Sequence, residues 1–314
     1  MVTGNSKRTS SYWLCPLYSF DCDCESVDLA EGIQIKPAPT HLKDHIYEYY
    51  RSEAQRHDLS KFDWAAFLPY RRRNVEGLSV EERFSIGFEE HDRARDLLVD
   101  LITALKLCHG GRVIAGILIS ASVKNSEWSF GGSTIRTRVS EIDFFLEEPK
   151  YVLHQSDVPQ VNELVKNFSK LRDVEKLDSI DTTLRRFHSA YHGIIEDRII
   201  DQMIAFESLY IGDERGIKNK LALRTASLLG EDQAQREEIF KDMKNAYQKR
   251  CDIVHVIKEV TREELLRITP KTEDYLRQSM RKFLLLLSQG SSLKEIRDTL
   301  NEDIQEWKNS ALKE

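Results

Sequence analysis

From Val158 onward the apolar residues recur at spacings of three and four, whereas before Pro149 many of them fall in short runs closed by glycine or polar residues. A face built on one period cannot pack as the other, so a change of period along a chain marks a change of architecture. The pattern predicts an α+β region over residues 1–150 followed by an all-α bundle. At 314 residues the chain is long enough for two domains of ordinary size.

Within the first region one short helix is expected over His41 to Tyr50, and a basic run at Arg71 to Arg73 has no readable role. Ser79 and Glu82 have the spacing of a capping box, and Leu97, Leu98, Leu101, Ile102 and Leu105 then share one helical face. Gly110 and Gly111 stop that helix. Val113 to Ser122 reads as a buried strand, and Glu127 to Phe130, Thr134 to Val139 and Asp143 to Leu146 read as shorter ones, the first two of these joined by a Gly131-Gly132 turn.

Past Pro149 no strand signal is visible. A helix over Val158 to Leu171 lies in a helical linker, residues 151–182, and a bundle follows over residues 183–290. Its helices are marked by Phe187 and Tyr191; by Ile195, Ile199, Met203, Ile204 and Tyr210; by Leu221, Leu223, Ala226 and Leu229; by Ile239, Met243, Ala246, Tyr247, Ile253 and Val254; and by a segment that Thr261 and Glu264 cap. The last segment, residues 291–314, opens on Ser292 and Glu295 as another capping box and carries Leu293, Ile296, Leu300, Ile304 and Trp307 on one face. That stripe needs a surface, either its own bundle or a dimer interface.

Composition removes several functions. A net charge of -6 and a pI near 5.9 exclude a polybasic coat for nucleic acid but leave room for a local basic site. The longest apolar stretches, Val113 to Ala121 and Phe283 to Leu287, fall short of the roughly 20 residues that cross a bilayer. Met1 to Ser10 is polar and Tyr12 to Phe20 is poor in aliphatics, so neither a membrane span nor a signal peptide is expected, and the expected location is cytoplasmic. Five cysteines fit reduced thiols better than a disulfide framework. Cys15, Cys22 and Cys24 cluster, but zinc would want a second ligand pair and none is visible nearby, so no metal and no cofactor are expected.

No nucleophile elbow, metalloprotease, phosphate-loop or dinucleotide signature occurs. The remaining chemistry lies in Tyr247-Gln-Lys249-Arg250-Cys-Asp252-Ile-Val-His255. Arginine grips a phosphate by permanently charged, paired hydrogen bonds and histidine exchanges protons near neutral pH, a combination suited to phosphodiester cleavage. Similar separations occur at Arg51 to His57 and at Arg185 or Arg186 to His192, so the spacing is not selective by itself. At about 100° per residue, five positions set Arg250 and His255 roughly 140° apart on one straight helix, so convergence needs a frayed end or a second protomer.

Three blocks resemble the bacterial HEPN domains, and among them the ApeA-like subgroup. Arg186-Phe-His-Ser-Ala-Tyr191 with Glu196 to Tyr210 is similar to the family's helix that ends in Ala-Leu-Glu-x-Leu; Leu221 to Gly230 is similar to its Arg-x-Ala-x-Leu-Leu helix; and Tyr247 to His255 is similar to its Tyr-x-x-Arg-Ser-x-Ile-Val-His-Gly ending. Cys251 stands in the serine position and Val256 in that of the glycine. The resemblance implies an all-α bundle that dimerises so that Arg and His of two protomers meet, and a metal-independent endoribonuclease in which the 2'-hydroxyl attacks phosphorus.

Carried over, Arg250 and His255 would be catalytic, with Tyr247, Lys249 and Asp252 supporting them or lining the cleft, and Glu207 and Arg224 would pair between neighbouring helices. RNA and a second copy of the chain are the implied partners, with antiviral defence or growth arrest as the setting and an unknown trigger at the N-terminal half. The alternative is a non-catalytic HEPN-type module acting as an interaction or antitoxin-like protein; a small-ligand binder in residues 1–150 that regulates the bundle is a third reading.

Overall fold

The computed structural model describes residues 10–49, 62–70, 77–124, 126–131, 149–191, 193–212 and 214–311. Its chain divides into two units between Lys166 and Asn167. The first is β-rich and the second mostly helical, in agreement with the change of apolar period.

In the first unit the central strand is β1 (Ser10–Tyr18), followed by β2 (Phe20–Cys22), β3 (Val27–Asp28) and β4 (Gln34–Pro37). Helix α1 (Thr40–Tyr49), strand β5 (Trp64–Pro69) and the long helix α2 (Val80–Cys108) come next, then β6 (Ile114–Ala115), β7 (Ile119–Lys124) and β8 (Glu127–Phe130). The main sheet is antiparallel, in the order β3-β4-β5-β1-β7-β8, with β6 also on β1. Leu14 of β1 stands between Phe67 and Ile119.

Leu14, Tyr18, Phe67 and Ile119 form one core with Leu42 and Ile46 of α1. Side chains alternate across a strand, so Trp13 faces the other way, where its ring meets that of His91 on α2 at 5.4 Å. One helix thus covers each face of the sheet. The capping box of α2 is formed by Ser79 and Glu82, and Leu98, Leu101 and Leu105 are buried as their spacing predicts.

The structure departs from the sequence-based expectation at several places. The one strand expected over Val113 to Ser122 is two, β6 and β7. The break falls at Gly116, whose amide donates to the Pro16 carbonyl at 2.8 Å and where an added Cβ would lie 2.6 Å from the Tyr18 ring. A strand also lies past Pro149: β9 (Tyr151–Leu153) pairs in parallel with β2. Gly111 permits the approach of this segment, since at φ 132° it adopts a backbone that other residues avoid, and a Cβ there would sit 3.1 Å from Tyr151 Cα. The strands expected over Thr134 to Val139 and Asp143 to Leu146, Gly132, and the basic run Arg71 to Arg73 lie outside the described residues. Helix α3 (Val158–Asp173) follows β9, and the division between the units falls inside it.

The second unit contains α4 (Asp181–Ser189), α5 (Ile195–Tyr210), α6 (Ile217–Leu229), α7 (Gln233–Val254), α8 (Arg262–Ser288) and α9 (Leu293–Ala311). Two buried polar contacts join its helices: Thr272 of α8 donates to Gln202 of α5, and Tyr210 and Ser279 share a hydrogen bond of 2.7 Å. Glu273 of α8 receives Arg198 of α5 at 2.9 Å and Arg277 from its own helix.

On α9, Ile296, Leu300 and Ile304 are buried in this unit, and Arg297 donates to the carbonyls of Ser208 and Leu209. Three of the five stripe residues are therefore covered by their own bundle, the first of the two surfaces expected for it. Each such aliphatic contributes on the order of 1.5–3 kcal/mol by leaving water. Among the described residues no helix is long and apolar enough to cross a membrane.

Candidate functional site

Helix α7 begins on Asp232, whose carboxylate accepts the Gln235 amide at 2.8 Å, and buries Ile239, Met243, Ala246 and Tyr247. Its far end is closed by a Schellman turn. The Ile257 amide reaches back to the Asp252 carbonyl at 3.1 Å, and the Val256 amide to that of Ile253 at 3.4 Å. This turn requires a left-handed residue after the cap, and Val256 fills it at φ 51°. A β-branched side chain there is strained by about 1–2 kcal/mol, and glycine would not be. His255 is the cap residue, with φ -100° and ψ 3°, and its side chain is exposed.

Arg250 lies one turn back and behaves differently. Its side chain is only 20% exposed, its guanidinium carbon lies 5.9 Å from the centre of the Tyr247 ring, and Nη2 is 3.8 Å from Glu207 Oε1 on α5. Burial, with the negative charge of Glu207 beside it, pushes the Tyr247 hydroxyl up to about 12, so it stays protonated and able to donate to Glu207. Two buried atoms here, Arg250 Nε and Glu207 Oε1, have no hydrogen-bond partner among the described residues. Arg250 is thus a partly buried guanidinium with a donor that meets no acceptor among the described residues.

The pairing expected between Glu207 and Arg224 is not formed, and this is a correction. Arg224, at 1% exposure, gives two hydrogen bonds to Glu214 at 2.8 and 3.1 Å, and others to Asn301 and the Tyr210 carbonyl. The physical reason is local: the connection from α5 to α6 carries Glu214 across Arg224, while Glu207 faces α7. Holding the Arg224 charge draws the Glu214 carboxyl down to about 2.

Lys249 does not flank an open cleft as a free cation either. Its ammonium donates to Glu264 at 2.7 Å, in the first turn of α8, so its charge joins two helices. Asp252 is 6% exposed and accepts from Gln248 at 2.7 Å, which in turn accepts from Lys218 of α6 at 2.7 Å. Its contribution is to anchor the turn that carries His255.

Arg250, Tyr247 and Glu207 are thus brought together on the α5–α7 face, and His255 is presented beyond the helix end. The other two arginine-histidine spacings, which involve Arg51, His57 and His192, reach outside the described residues. Sequence spacing did not identify Glu207 as the partner of Arg250, because the contact lies between helices and 43 positions apart. No family model, curated protein or solved structure matches the chain.

Proposed function

We propose that residues 183–290 form a HEPN-type bundle acting as a metal-independent endoribonuclease, with Arg250 and His255 as its catalytic residues. The observation that supports this most is the pairing of a partly buried guanidinium, whose Nε has no partner, with an exposed histidine five residues on. Arg250 would receive a phosphate oxygen in exchange for its long contact with Glu207. His255 would move the proton between the 2'-hydroxyl and the leaving 5'-oxygen. The 140° between them on a straight helix favours a composite site in which two protomers each supply part, with antiviral defence or growth arrest as the setting.

The test uses the full chain with an RNA oligonucleotide and its DNA counterpart. Wild type is expected to cut RNA alone and leave 2',3'-cyclic phosphate ends, and His255→Ala to lose about 100-fold or more in rate. Cleavage unchanged in the variant, or absent in the wild type, overturns the assignment.

The ion pair between Glu207 and Arg250 favours a second reading, a non-catalytic interaction or antitoxin-like module, because a carboxylate beside the guanidinium opposes phosphate binding. Under that reading Glu207→Gln would leave RNA affinity unchanged, whereas under the first it raises it.

A further inference from the structure

Cys22, Asp23 and Cys24 leave β2 together, and one ligand-type atom from each, two sulfurs and a carboxylate oxygen, lies within 4.8 Å of the others. Asp23 and Cys24 lie in the bend that follows β2, which gathers the carboxylate and both thiols together. The Cys24 amide donates to Cys22 Sγ at 3.4 Å, and Cys24 Sγ shares its proton with Asp23 Oδ1 at 3.3 Å. The parallel register of β2 with β9, which matches Cys22 to Leu153, brings the following pair, Asp23 and His154, alongside. His154 Nδ1 lies 2.8 Å from Asp23 Oδ2, and the Gln155 amide donates to Asp23 Oδ1 at 2.9 Å.

We propose that Cys22, Asp23 and Cys24 bind a thiophilic divalent cation of the zinc class, with His154 as the positioning residue that fixes the Asp23 carboxylate. Two zinc-sulfur bonds of about 2.3 Å at a tetrahedral angle set the sulfurs about 3.8 Å apart, and sulfur and a carboxylate oxygen on one zinc are about 3.5 Å apart. The present 3.3 Å between Cys24 Sγ and Asp23 Oδ1 is already close to that spacing, with a proton standing where the cation would be. Binding exchanges the two thiol protons, which leave to water, for the metal, and two thiolates and one carboxylate then face two positive charges. Water takes the fourth position. The residue that fixes the Asp23 carboxylate comes from position 154, 131 positions away in sequence, so the cysteine spacing alone does not reveal it.

The experiment titrates Co²⁺ into the reduced full-length protein and follows thiolate-to-cobalt charge transfer and the intense visible bands of tetrahedral cobalt. One equivalent is expected to saturate these bands, and Zn²⁺ to abolish them. Cys22→Ser and Cys24→Ser, shown to be folded by circular dichroism, are expected to lose the charge-transfer band, and Cys251→Ser to keep it. His154→Ala is expected to weaken binding about 10- to 100-fold with the band shape retained, and His154→Gln, which can still donate to Asp23, to recover most of the loss. Absence of the band in folded wild type, or its persistence in Cys24→Ser, overturns the site; the wild-type titration decides the matter even where a variant does not fold.

Discussion

Val256 combines two features that rarely meet: a β-branched side chain and a left-handed backbone, at 89% exposure. Nothing packs on the side chain enough to offset the strain, so Val256→Gly should stabilise the protein. Relief of about 1–2 kcal/mol, less about 0.5–1 kcal/mol for the freer unfolded chain, leaves a gain near 1 kcal/mol, to be read as an upward shift of the urea midpoint. The residue-scale picture of the site was only partly legible beforehand. Residue types singled out Arg250 and His255 as candidates, while their spacing did not. The partners of Glu207, Arg224 and Lys249 were not legible, because a carboxylate's choice of cation depends on which helix faces it, and nothing in the local sequence records that.

At the scale of elements, the connection between α5 and α6 is held by a pH-dependent bond. The Glu214 carboxyl, drawn from 4.5 to about 2 by Arg224, stabilises the folded state fully above its unfolded value and loses that contribution as the pH falls through 4.5 toward 2. With its side chain 36% exposed, screening reduces the effect to on the order of 1 kcal/mol. Between neutral pH and about pH 3 the wild type should therefore lose more stability than Glu214→Gln, measured by urea titration at each pH. The elements themselves differed in how well sequence revealed them. The capping boxes at Ser79, Thr261 and Ser292 and the helical stripes found their helices, since one buried face leaves a period of 3.6. Strands β1 and β5 were missed because they are buried on both faces, from Trp13 to Tyr18 and from Trp64 to Leu68, so no alternation is left to read.

For the whole molecule, each unit has a core of its own, and the helical one should survive alone if α3 is left intact. A chain of residues 157–314 is expected to give a helical circular dichroism spectrum and a cooperative thermal transition; a non-cooperative melt would show that the first unit is needed for folding. Within the first unit the order of events in synthesis follows from the β2–β9 pair. Asp23 and His154 are 131 positions apart, so at roughly 5–20 residues per second the ribosome takes about 7–26 s to supply the strand that β2 requires. During that interval the Cys22-Asp23-Cys24 segment is a strand end without its neighbour, and its two thiols meet whatever metal or oxidant is present before the histidine that orders the carboxylate exists.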